Sequence, residues 1–173
     1  MNVLLLLLML SDCPMHAKHT ATAVDHRGDH VMGFSHEKTK HSFKLYEDGG
    51  AVEVRGNDTE SIAAIRSHLQ VIAKEFAAGN FDKPREIHDR VVPGVPVLKE
   101  LGARVAYTYE ELDRGARVRI TTSDARGIEA VHQFMRFQIE DHRTGDPVTL
   151  SPRSPAPASG AAAGSAGSSS RTP

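Results

Sequence analysis

The sequence predicts an α+β domain built from a duplicated ββα unit: a four-stranded antiparallel sheet with two helices on one face. Three observations carry this. Residues 43–76 and 105–142 read alike, and a shift of 66 residues pairs Val52 with Val118, Val54 with Ile120, Asp58 with Asp124, Ile62 with Ile128 and Ile65 with Val131. Within each copy, two short alternating runs are followed by apolar residues at helical spacing. A tight-turn signal separates each pair of runs, Asp48-Gly49-Gly50 in one and Asp113-Arg114-Gly115 in the other.

Residues 3–10, VLLLLLML, are unbroken and apolar. A bilayer needs about 20 such residues, so the run is too short to span one. Its length suits the apolar part of a signal peptide, with Ala21 and Ala23 as cleavage-site residues. Residues 1–23 are therefore expected to direct export. Residues 24–40 are polar and rich in His, Lys, Gly and Asp, and are expected to form a flexible arm.

The folded domain is expected over 41–147, with copies at 41–79 and 103–146. Strand one, 41–46, points Phe43 and Leu45 one way. Strand two, 51–56, adds Val52 and Val54 to the same face. Asn57 or Asp58 caps a helix over 59–78, whose Ile62, Ile65, Leu69, Ile72 and Phe76 form one apolar stripe. The connection, 80–102, holds Pro84, Pro93 and Pro96, which exclude a long helix. Pro96 to Gly102 reads as a short helical turn. Strand three, 103–111, and strand four, 116–121, repeat the pattern. Ser123 or Asp124 then caps a helix over 125–142 carrying Ile128, Val131, Phe134, Met135 and Ile139. Residues 148–173 are mostly Ser, Pro, Ala and Gly, from which no core can be made, so they are expected to be a disordered tail.

Composition excludes several functions. The net charge is −1, so no global field favours nucleic acid or an anionic membrane. One cysteine, Cys13, permits neither a disulfide framework nor a cysteine-based zinc site. The polar sheet face, Lys44, Glu53, Arg55, Arg104, Thr108, Glu110, Arg117, Arg119 and Thr121, carries five basic residues and two acidic ones. It offers only Tyr46 for base stacking, so cross-strand ion pairs are expected there rather than an RNA platform.

Several short motifs are shared with a known group of proteins: His30-Val-Met-Gly-Phe34, Lys38-Thr39, His41-x-Phe43, Asp48-Gly-Gly50, Gly94-Val-Pro96, Phe137-Gln138 and Asp141-His142-x-Thr144-Gly145-Asp146. In these the chain resembles an uncharacterised family of small, often exported bacterial proteins, over about residues 26–147. Members are sometimes automatically labelled aspartate carbamoyltransferase. The residues here argue against that activity, because the Ser-Thr-Arg-Thr phosphate loop is absent and the chain is too short for a two-domain transferase. Where the family has a second histidine after His41, this chain has Ser42.

Candidate chemistry rests on histidine. The chain has ten, six of them before residue 42. Neutral imidazole suits Cu, Zn and Ni, and a thioether adds preference for Cu(I). Candidate metal ligands are His30, Met32, His36 and His41 on the arm and His68, His88, His132 and His142 on or near the fold, and of these His30, Met32, His36, His41 and His88 are the expected set. Other histidines have plainer readings: His68 at the edge of an apolar stripe, His88 also read as solvent-exposed, His132 on the second helix, and His142 as a cation completing a helix dipole. No nucleophile elbow, phosphate-binding glycine loop or HExxH is present, so no catalytic residue is named.

The leading expectation is thus an exported binding module for a metal ion or small ligand. The alternative is an interaction domain that docks through its polar face or a sheet edge. A third reading is a small enzyme, which a pocket against residues 80–102 lined by His88 and a carboxylate would favour.

Overall fold

The computed structural model describes residues 14–152. Its sheet is antiparallel with strand order β1-β2-β4-β3, from β1 (Thr39–Tyr46), β2 (Gly49–Gly56), β3 (Ala106–Leu112) and β4 (Gly115–Thr121). Five helices accompany it: α1 (Pro14–Met32), α2 (Thr59–Ala77), α3 (Asp82–His88), α4 (Val95–Leu101) and α5 (Ala125–Asp141). The core lies between one sheet face and the helices, with Leu45, Val54, Ile65, Val118, Ile120, Val131 and Met135 almost fully buried.

The same 66-residue shift that aligns the sequences relates the bonding. Val52 and Val118 face each other across the β2–β4 pair, so an approximate two-fold axis passes between them. Gly56 N donates to Arg114 O, and its counterpart Thr122 N donates to Asp48 O. Asp58 caps α2 by accepting from Ser61 N, and Asp124 caps α5 by accepting from Arg126 N and Gly127 N. A Cβ added at Gly49 would lie 2.1 Å from Ile120 O, and one at Gly115 would lie 2.0 Å from Val54 O. Only glycine fits either turn, because a side chain would overlap the neighbouring strand's backbone.

Several elements differ from the sequence expectation. The arm is not irregular, because α1 runs through Met32 and the expected cleavage boundary at residue 23 falls inside it. Residues 1–13 lie outside the described part. The connection gains a second helix, α3, in which Pro84 occupies the first turn, where a missing N–H costs nothing. Strand three starts later than expected because 102–104 form a 3-10 turn, and Arg104 pairs with Asp124 rather than joining the sheet face. The chain also continues in order past residue 148: Ser151 N donates to Leu45 O, and Leu150 bridges Leu45 in parallel. The reason is that β1 is an edge strand with backbone groups to satisfy. Residues 153–173 lie outside the described part.

The polar face spends its charges on itself. Glu53, only 3% exposed, receives Lys44, Arg55 and Arg117, while Arg117 also holds Glu110. Arg119 pairs with Asp48 and lies over the Tyr46 ring at 4.4 Å. Among the described residues no helix is long and apolar enough to cross a membrane.

Candidate ligand-binding site

Under the sheet, towards the β1 end, the core is incomplete. A cavity of about 70 Å³ opens between the sheet, α2, α3 and α5, and Met32 at the end of α1 reaches its wall. Most of its lining is apolar, including Phe43, Val54, Ile72, Ile87 and Phe134. Four imidazoles from four places in the chain also line it: His41 on β1, His68 on α2, His88 on α3 and His142 just after α5.

Each reaches the cavity for a local reason. His41 alternates with Phe43 and Leu45 on the inward face of β1. His68 precedes Leu69 on the buried stripe of α2. His142 is the C-cap residue of α5. His88 ends α3, which packs against α1, where Arg27 Nε donates to Ile87 O at 2.7 Å.

The rings form a chain of contacts. His41 and His142 are parallel within 5°, with centroids 5.6 Å apart, and His88 meets His142 edge-on at 5.0 Å. His68 meets Phe34 edge-on at 5.5 Å.

Burial dominates their electrostatics. It pushes His41 down to about 4, with His68 adding to the effect. It pushes His68 down to about 4, helped by the Lys83 ammonium. It pushes His142 down to about 3, helped by His41 and His88. All three are therefore neutral at pH 7, with lone pairs available. His88 is also lowered by burial, against the pull of Asp141. Its Nδ1 lies 2.5 Å from Asp141 Oδ2 and its Nε2 3.0 Å from Gln138 Oε1. The neutral ring donates to Asp141 and accepts from Gln138 once that amide presents its nitrogen. Among the described residues, the rings of His41, His68 and His142 make no hydrogen bond.

A second, more polar cavity of about 300 Å³ lies between α1 and β1, lined by Asp25, His36, Thr39, Lys40 and Thr144 among others. Met32, His41 and His142 line both cavities and so stand between them.

Of the expected ligands, Met32, His41 and His88 come to the first cavity. His30 does not; it is exposed on α1. His36 is held by Asp29 at 2.9 Å, a hydrogen bond that raises its pKa. The exposed reading of His88 is overturned, since it is 6% exposed and pinned by Asp141 and Gln138. The reading of His142 as a dipole-completing cation is also overturned, because burial keeps the ring neutral. His132 is spent on Tyr46 O at 2.8 Å. Among the described residues no three His, Cys, Asp or Glu side chains are grouped as a metal site.

The 66-residue shift supplies a comparison inside the molecule. It carries His41 to Tyr107, Phe76 to His142 and His68 to Phe134. Phe76 and Tyr107 touch at 5.8 Å, in the place where the other unit sets His142 against His41. One unit thus closes this corner with Phe and Tyr, while the other lines it with imidazole. Compared with known proteins, the chain matches no family model, no curated protein and no solved structure.

Proposed function

We propose that the chain is a non-enzymatic binding module whose ligand, a metal ion or a small molecule, is held by His41 and His142 at the cavity between the sheet and the helices. One observation carries this reading. Two neutral imidazoles, half-buried between an apolar and a more polar cavity, have no hydrogen-bond partner among the described residues, at a corner the other unit fills with Phe76 and Tyr107. The fold closes the same corner without histidine, so packing does not require them. The apolar run at residues 3–10 supports an exported module.

A catalytic reading draws on the His88–Asp141 pair beside the cavity. The pair itself offers no free base, since the other ring nitrogen of His88 is taken by Gln138, and among the described residues no Ser, Thr or Cys lines the cavity as a nucleophile for the neighbouring imidazoles to activate. Docking through the polar face is also weakened, because its charges are paired internally.

The test is a double variant, His41→Tyr with His142→Phe, which copies the contact of the other unit. Histidine ring signals are followed by NMR while the protein is titrated with Cu(I), Zn(II), isopropanol and phenol. The expected result is that at least one probe shifts the His41 and His142 signals, and that the double variant stays folded but no longer binds that probe. If all four probes leave both rings unmoved, or the variant binds as well as the parent chain, the reading fails.

A further inference from the structure

We infer that the ligand is a single monovalent soft metal ion, Cu(I), held by the imidazoles of His41 and His142 and the thioether of Met32. This deepens the binding-module reading and rests on it. Met32, His41 and His142 are the residues common to the two cavities, so they converge on the partition between them.

Size favours an ion. An apolar cavity that takes benzene measures about 150 Å³, whereas the apolar cavity here is about 70 Å³ and the larger one across the partition, about 300 Å³, has a polar lining. Separation fits as well. Two imidazoles sharing an ion at bond lengths of about 2 Å have ring centres at most roughly 6 Å apart, and these are 5.6 Å apart. The parallel rings must turn to aim at a common point, and neither gives up a hydrogen bond in turning.

Charge selects the monovalent ion. Among the described residues no carboxylate lines the first cavity, where Lys83 is matched by Glu75, and the second cavity offers one carboxylate, Asp25, alongside one ammonium, Lys40. The lining of the two cavities therefore carries no net negative charge to balance a dication, and burying one is far more costly than burying a single charge. Two neutral nitrogens and a sulfur are the donor set that soft Cu(I) accepts, while Zn(II) sites with three protein ligands add water or an anion. Met32 reaches the site because α1 ends there, and its Cε packs 3.1 Å from where a Gly28 Cβ would sit, so a side chain at Gly28 would push the thioether by a few tenths of an ångström.

The experiment uses the full reduced chain without oxygen, carrying Cys13→Ser to remove the thiol as a competing donor. Cu(I) is titrated in competition with a colorimetric chelator, for this chain, for Met32→Leu and for His41→Tyr/His142→Phe. The expected result is one Cu(I) per chain. Met32→Leu, which keeps the side chain's volume, should weaken binding at least ten-fold and remove the sulfur scatterer from the copper X-ray absorption spectrum. It should leave the thermal midpoint of the copper-free protein unchanged. The double variant should lose the ion. Stoichiometric Cu(I) that neither variant disturbs, or no Cu(I) at all, would overturn the inference. If Cu(I) fails while isopropanol or phenol still shifts the His41 and His142 ring signals, the copper assignment falls and the binding module stands. If no probe shifts them, both fall.

Discussion

At the scale of single residues, the polar groups that lack partners decide what the core costs. The phenol oxygens of Tyr107 and Tyr109 are buried with no hydrogen-bond partner among the described residues. Burial alone pushes Tyr107 well above the ordinary phenol range. An unmet buried hydroxyl costs about 1–3 kcal/mol. Tyr107→Phe and Tyr109→Phe should therefore leave stability unchanged or raise it by about 1 kcal/mol, read by urea denaturation. The histidines carry the opposite sensitivity. His68 has a folded pKa of about 4 against 6.5 when free. Below pH 6.5 the unfolded chain takes up a proton that the folded chain refuses until pH 4. Its contribution is whole above pH 6.5 and lost as pH falls towards 4. Each unit of separation is worth about 1.4 kcal/mol at most. Urea midpoints between pH 7 and 4 should fall steeply, and His68→Leu should flatten part of that slope.

At the scale of elements, caps and turns hold the two units in the same geometry. Asp58 and Asp124 each satisfy first-turn amides of a helix. Replacing either by Ala should cost about 1 kcal/mol by chemical denaturation. Gly49→Ala and Gly115→Ala should cost more than either cap, since each Cβ would overlap a carbonyl oxygen across the sheet. These features were legible in advance, because Asp-Gly-Gly, a capping Asp and a 3-4-3-4 apolar stripe are local signals. Two helices were not. α1 has few apolar residues, and what fixes it is docking on α3 through Arg27. α3 was hidden by Pro84, read as a breaker although it stands in a first turn. Asp29 near the end of α1 in turn holds His36, which ties the helix to the turn before β1.

At the scale of the whole molecule, the sheet's two outer strands are treated differently. β1 is strapped by the segment after α5: Asp146 accepts from Phe43 N at 2.9 Å and from Ser42 Oγ at 2.8 Å. His142 lies at the start of that segment. Asp146→Ala should therefore loosen the strap and speed amide exchange at Phe43 and Leu45, while β3 amides keep their protection, by hydrogen-exchange mass spectrometry. The fold was readable because it repeats. The site was harder to read because it lies where the repeat lapses. Met32 and His41 were found through residue type alone, whereas His68 and His142 were explained away by their positions on helices. A signal was present: aligning the copies sets His142 on Phe76, His68 on Phe134 and His41 on Tyr107.

That lapse has a use. Substituting every position in turn and scoring folding should yield a tolerance map with a period of 66 residues, alike at Gly49 and Gly115 and at Asp58 and Asp124. At His41 and His142 the map should break step, accepting the Tyr and Phe of the sister positions without loss. The chain carries its own histidine-free reference, and subtracting one half from the other outlines the candidate site before any ligand is in hand.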